Sequence, residues 1–352
     1  PMTVLAQIGL ILLMFQIGSD FEFGHLAHRA SKRAVGLIAA FSVAAPLATG
    51  FLVGQGTAAI LAPGIDALAY SLFVAIAFAI TAVPILGRIL REYGLTRSRI
   101  GVITISAAAI NDVVGWVLMA AVVAFAGSGF SWVHSGAQMA GLAGLVLVLR
   151  LVGRPLIDRL MRRFPVVDGQ IPTPLLAIVL AMVFAAGIAT QKLGIFTIFG
   201  GFLLGLLFHR HDRFVAAWRH QIGQFVLVFF LPIFFTYTGL RTDILGLASA
   251  AEWMWCAAIF IAATLAKIVP VYVAARLAGL DPHQATIAGV LMNTRALMEL
   301  IVLNIGLQLG FIPPKVFTML VIMAVATTVM AGPLLRLLLH RQGHPVDRLL
   351  DA

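Results

Sequence analysis

Apolar runs of about 20 residues follow one another along almost the whole chain, separated by short segments where charge and turn residues collect. That is the length a helix needs to cross a hydrocarbon core. The pattern predicts about eleven spans. The first five are Val4–Ile17, Val35–Val53, Leu68–Leu90, Ile100–Phe125 and Ser131–Leu151. The remainder are Pro174–Thr190, Leu193–Phe208, Phe225–Leu240, Met254–Leu277, Ala285–Leu309 and Val316–Leu339. The fold class expected is an all-α polytopic membrane protein, read as one transmembrane domain over 1–352.

Charge alternates from loop to loop. Basic residues follow the first span (Arg29, Lys32, Arg33), the third (Arg88, Arg91, Arg97, Arg99), the fifth (Arg154, Arg159, Arg162, Arg163) and the seventh (Arg210, Arg213, Arg219). Arg276 follows the ninth, and Arg336, Arg341 and Arg348 lie in the tail. The intervening loops hold single cations (Lys192, Arg241, Lys315) or none. Positive-inside topology then predicts an inner-membrane protein with a cytoplasmic C-terminus. The alternation supports the span count, since one span too many would break it. It also explains the net charge of +10, which is not read as nucleic-acid binding. The chain is 61% hydrophobic and 11% charged, against about a quarter charged in soluble domains.

An internal repeat is legible. Leu12-Leu-Met-Phe-Gln-Ile-Gly18 resembles Ile233-Phe-Phe-Thr-Tyr-Thr-Gly239, each followed by acids (Asp20 and Glu22; Asp243). Ala79-Ile-Thr-Ala-Val-Pro-Ile85 occupies the same place in its unit as Met292-Asn-Thr-Arg-Ala-Leu-Met298. Spans one to four therefore match spans eight to eleven. An odd number of spans separates the copies, so they are inverted, the architecture of many secondary transporters. This divides the chain into a first repeat over 1–126, a linker helix over 131–163 and a second repeat over 172–340. The sixth and seventh spans lead the second copy and have no counterparts before the first. Two further N-terminal spans are therefore expected to be missing from the sequence given.

The polar positions inside the spans carry the chemistry. Asp112, in Ser106-Ala-Ala-Ala-Ile-Asn-Asp-Val-Val-Gly-Trp116, is a carboxylate in the middle of a span. On insertion scales this costs about 3 kcal/mol, so such acids are paired or handle ions. It can hold a proton or a monovalent cation, and Asn111 offers a neutral oxygen beside it. Pro84 interrupts the third span and frees a carbonyl, which suits Na⁺ or K⁺. Asn293-Thr294-Arg295 interrupts the tenth at the matching position, and the two breaks should cross beside the fourth span. Lys267, mid-span in Ala263-Thr-Leu-Ala-Lys-Ile-Val-Pro270, is expected as the counter-charge to Asp112. Arg295 and Glu299, four apart, are read as a structural pair at the helix break. Gly194, Gly200, Gly201 and Gly205 indicate close helix packing, including a possible subunit contact.

Other classes are disfavoured. The lone Cys256 excludes a disulfide framework or a Cys-based metal site, and the nine histidines form no ligand set. No metal is expected beyond the transported cation, and no organic cofactor. No hydrolase, Walker or zincin motif appears, so the chain is not read as an enzyme.

Four stretches resemble the monovalent cation:proton antiporter-2 family, especially its plant cation/proton exchangers and bacterial potassium-efflux antiporters. They are Phe78 to Leu90, Ser106 to Trp116, Phe234 to Asp243 and Asn293 to Gly306. The resemblance implies a homodimer with a mobile ion-carrying core and elevator-like movement. It implies that Asp112 is the ion-binding, proton-exchanging carboxylate with Thr81 and Asn111 beside it, and that Lys267 is the facing basic residue. It also implies a fold with two crossing discontinuous helices. No cytoplasmic regulatory domain is read within 1–352. The function expected is K⁺ or Na⁺ exchange for H⁺ by competition at Asp112. The other class weighed is a cation channel or ligand-gated potassium efflux pore.

Overall fold

The computed structural model describes residues 2–20, 29–96, 98–127, 132–193, 197–295 and 297–340. Glu22, Arg97, Ser131, Gly194, Arg341 and Arg348 lie outside the described residues, as do the side chains of Arg29 and Pro84. In chain order the helices are α1 (Met2–Ser19), α2 (Arg29–Leu61), α3 (Ala67–Ala79), α4 (Val83–Glu92) and α5 (Arg99–Gly127). They continue with α6 (Trp132–Val148), α7 (Arg154–Arg163), α8 (Thr173–Lys192), α9 (Thr197–Phe208) and α10 (Asp212–Trp218). The last are α11 (Leu231–Arg241), α12 (Ala250–Leu277), α13 (Pro282–Met292), α14 (Leu297–Gln308) and α15 (Pro314–His340). The described residues form no strand, and π-helical turns at Leu149–Gly153, Arg219–Gly223 and Val226–Phe230 complete the list.

Every predicted span finds a helix in the expected order. Among the described residues α2, α5, α8, α12 and α15 are each long and apolar enough to cross a membrane alone. Two pairs bent by 41° at a break, Asp212–Gly223 with Val226–Arg241 and α13 with α14, bring the number to seven. The first, third and seventh predicted spans rest on the shorter apolar helices α1, α3 and α9. The eighth begins earlier than predicted, at Asp212, because Arg213, Arg219 and His220 make its first turns read as loop.

The repeat is visible in the element order. A long helix with an internal proline (Pro46 in α2, Pro270 in α12) precedes a broken pair, and a long helix follows it. The third predicted span is two helices. α3 ends where Ile80 turns extended (ψ 142°), and α4 starts after Ala82 with Pro84 in its first turn. There the missing N–H of a proline costs nothing, so Pro84 starts a helix rather than kinking one.

The chain forms two compact units, 1–23 with 120–240 and 24–119 with 241–352. These divisions differ from the repeat boundaries, since each unit takes residues from both copies. In the first unit, α9 meets α1 and α8 at glycines. A Cβ on Gly205 would lie 2.2 Å from the Phe15 carbonyl oxygen, one on Gly201 2.5 Å from that of Ile11, and one on Gly200 2.2 Å from that of Ala186. These three glycines therefore serve close packing within the chain. In the second unit, α2 and α12 flank the broken pairs, and Ile38, Leu86, Ile103, Val271 and Leu291 share one buried apolar cluster.

Candidate functional site

The two helix breaks meet inside the second unit. The Ala82 backbone N–H donates to the Thr294 carbonyl at 3.1 Å, and the Thr81 hydroxyl donates to the Met292 carbonyl at 3.2 Å. Each break therefore satisfies polar groups that the other leaves open, as membrane-depth irregular backbone requires. Thr81, Asn293 and Thr294 are all buried.

Helix ends leave unpaired carbonyls at one terminus and unpaired N–H groups at the other. Both kinds are used here. At the C-terminal end of α3 the Ala79 carbonyl accepts from Lys267 Nζ and the Ala77 carbonyl from Arg295. Two carbonyls at this helix end are thus held by the protein's own cations. Cations also suit the negative end of a helix dipole. At the N-terminal end of α4, the Val83 N–H is hydrogen-bonded to the Asp112 carboxylate. A carboxylate at a helix N-terminus is the matching favourable arrangement.

Asp112 and Asn111 sit midway along α5, each 2% exposed. Asp112 Oδ1 is buried without a hydrogen-bond partner, and so is Asn111 Oδ1. Asn111 Nδ2 donates to Ser42 Oγ at 2.7 Å, with Thr81 Oγ1 at 3.5 Å. A buried bare oxygen costs roughly 1–3 kcal/mol, and a bare carboxylate more. An open carboxylate oxygen on Asp112 suits a dehydrated monovalent cation or a proton, and the preceding residue leaves a second, neutral oxygen open. The described residues contain no cluster of three or more His, Cys, Asp or Glu side chains that could hold a metal ion.

Lys267, fully buried on α12, donates to the Ser42 carbonyl at 2.7 Å and to that of Ala79. Its charge acts on Asp112 electrostatically. Among the ion pairs of the described residues, though, none joins Lys267 to Asp112 within 4.0 Å. The expected direct pair is replaced by a cation lodged on two carbonyls nearby. The physical reason is that α3 ends beside Lys267 and offers it neutral acceptors without withdrawing the carboxylate from the site.

Arg295 Nη1 lies 3.7 Å from Glu299 Oε2, with both side chains fully buried. That is longer than a hydrogen bond. Arg295 is held more firmly elsewhere. It bonds the Ala77 carbonyl, and the Ala263 carbonyl at 3.3 Å, while the Thr328 hydroxyl accepts from its backbone N–H at 3.0 Å. Asn293 is buried with both side-chain polar atoms unpartnered.

Ser42 and Thr328 were not legible as site residues. A hydroxyl in an apolar helix usually bonds its own backbone, as Ser42 does with Ala39 at 3.0 Å. It therefore leaves no mark in the hydropathy pattern.

Comparison with known proteins finds relatives over almost the whole chain. The family model for the transmembrane sodium/hydrogen exchanger matches residues 2–341. The Na⁺/H⁺ antiporter NhaS4 of Synechocystis sp. is 33% identical over 94% of this chain and 80% of its own length. Cation/H⁺ antiporter 19 of Arabidopsis thaliana is 32% identical over 97% of this chain, and K⁺/H⁺ antiporter 1 of Saccharomyces cerevisiae 30% over 96%. The chain spans 42% and 39% of the length of those last two. The fold is similar to that of the sodium proton antiporter MjNhaP1 from Methanocaldococcus jannaschii, with a TM-score of 0.64 at 14% identity, covering 95% of this chain and 86% of that one.

Proposed function

The chain belongs to the transmembrane sodium/hydrogen exchanger family, and from that premise we propose that it exchanges K⁺ or Na⁺ for H⁺ at Asp112. The observation that carries this reading is the buried Asp112 Oδ1, which has no hydrogen-bond partner, with the Oδ1 of the preceding residue, Asn111, also left open. A carboxylate at that depth with one oxygen unpartnered is unfavourable. Either a proton or a cation neutralises it, but the two cannot occupy it together. Competition for one carboxylate then gives exchange, because the site crosses loaded with one ion or the other. Asn111 stands where a second acid would add charge, which favours electroneutral one-for-one exchange. Lys267 balances the carboxylate from its carbonyl perch, and the Arg295–Glu299 pair keeps the crossing neutral.

In this reading the unit of 24–119 and 241–352 carries the ion in an elevator-like movement, and the molecule works as a homodimer in the inner membrane with its basic loops cytoplasmic. Support comes from the compactness of that unit, which contains the whole site, and from the loop charges.

The test is proton flux in proteoliposomes, reported by a pH-sensitive dye on addition of K⁺, Na⁺ or Li⁺, with the membrane potential clamped by valinomycin in the Na⁺ arm. Antiport gives cation-driven proton movement that persists under the clamp. Conductive flux that needs no proton gradient would assign the chain to a pore instead.

A further inference from the structure

The hydroxyl of Ser42 settles which end of the Asn111 side chain is left open. Ser42 Oγ donates to the Ala39 carbonyl at 3.0 Å, and Thr81 Oγ1 donates to the Met292 carbonyl at 3.2 Å. Each hydroxyl has a single proton, and each has committed it to a backbone carbonyl. Towards Asn111 both can only accept. The amide nitrogen must therefore turn to them, as it does at 2.7 Å to Ser42 and 3.5 Å to Thr81. Its oxygen is left without a partner. The shorter contact is the one to Ser42, so Ser42 holds the amide more firmly of the two.

The same residue touches the site's cation by a second route, since its backbone carbonyl accepts from Lys267 Nζ at 2.7 Å. α2 therefore presents one residue to both Asn111 and Lys267. It is fully buried and, among the described residues, its bonds run to Ala39, Asn111 and Lys267.

We infer that Ser42 is a positioning residue that sets cation affinity and selectivity. It locks the Asn111 amide with its nitrogen towards α2 and its neutral oxygen left open, on the residue that precedes Asp112. The inference rests on the exchange reading above and adds to it. Without the lock the amide can rotate and offer its N–H groups, which repel a cation. A dehydrated ion then has one reliable ligand fewer, while the carboxylate that carries the proton is untouched.

Ser42→Ala isolates this role, because it deletes the hydroxyl and keeps the carbonyl on which Lys267 rests. One hydrogen bond's worth of lost preorganisation predicts a KM for the preferred cation raised about fivefold, with Vmax within about a factor of two. The KM ratio between Na⁺ and K⁺ should move towards one. Ser42→Thr, which retains the hydroxyl, should restore both values. If the alanine variant does not fold, Ser42→Cys is measured in its place, since a thiol is a weak acceptor of nearly the same size. Unchanged KM values and an unchanged Na⁺/K⁺ ratio in folded Ser42→Ala or Ser42→Cys would overturn the inference. So would equal losses in the alanine and threonine variants. Full exchange by Asp112→Asn would instead remove the exchange reading beneath it, so the two failures are distinguishable.

Discussion

Arg295 and Glu299 show how a single residue's surroundings decide its worth. Removing one partner of a fully buried pair leaves the other charge uncompensated, which costs about 3–5 kcal/mol. Glu299→Ala is therefore expected to lower thermal stability sharply in a detergent melt followed by size-exclusion fluorescence. The double change Glu299→Ala with Arg295→Met should recover much of the loss. A single variant as stable as the parent would show that the 3.7 Å contact is incidental. At this scale the sequence was informative wherever a residue was expensive to bury. Asp112, Lys267, Arg295 and Glu299 stand out in apolar runs, and all four are buried within one compact unit. What could not be read was who bonds whom. The Lys267 perch depends on where α3 stops, and the Ser42 bond to Asn111 joins residues 69 positions apart.

At the scale of elements, proline and polar interruptions marked both helix breaks, and the breaks cross through the bonds of Ala82 and Thr81. Their internal form was less legible. Pro84 marked the break in the third span, but only the three-dimensional arrangement shows that Ile80 leaves the helix first and that Pro84 lies in the first turn of a second one. The start of the eighth span was obscured by its own arginines. Glycines were read correctly as packing positions, and the partners they meet lie in the same chain. Gly205→Ala would place a methyl 2.2 Å from the Phe15 carbonyl oxygen, an approach real Cβ atoms do not make. Overpacking of this kind costs about 1–3 kcal/mol. The variant is expected to melt earlier than the parent, while Gly36→Ala, where a methyl would meet nothing within 4 Å, should not. Equal melting of the two would remove the account of how α1 and α9 pack.

For the whole molecule, loop charge predicts topology and the buried site predicts transport. Cys256 is the lone cysteine and is 4% exposed, so Cys256→Ala gives a background for labelling. In it, Arg162→Cys is expected to react with an impermeant maleimide from the cytoplasmic side, and Pro63→Cys from the opposite one. The reverse pattern would invert the orientation. The repeat, the order of the helices and the family were all accessible from one sequence, because spacing and interruptions survive without coordinates. The compact units were not, because they draw on both repeats. The central claim is that one carboxylate carries both ions, and it is tested most directly by cation-driven proton flux in proteoliposomes of the parent and of Asp112→Asn at matched protein content. The account predicts flux in the parent and background signal in a folded Asp112→Asn protein. Parent-level flux from Asp112→Asn would contradict it.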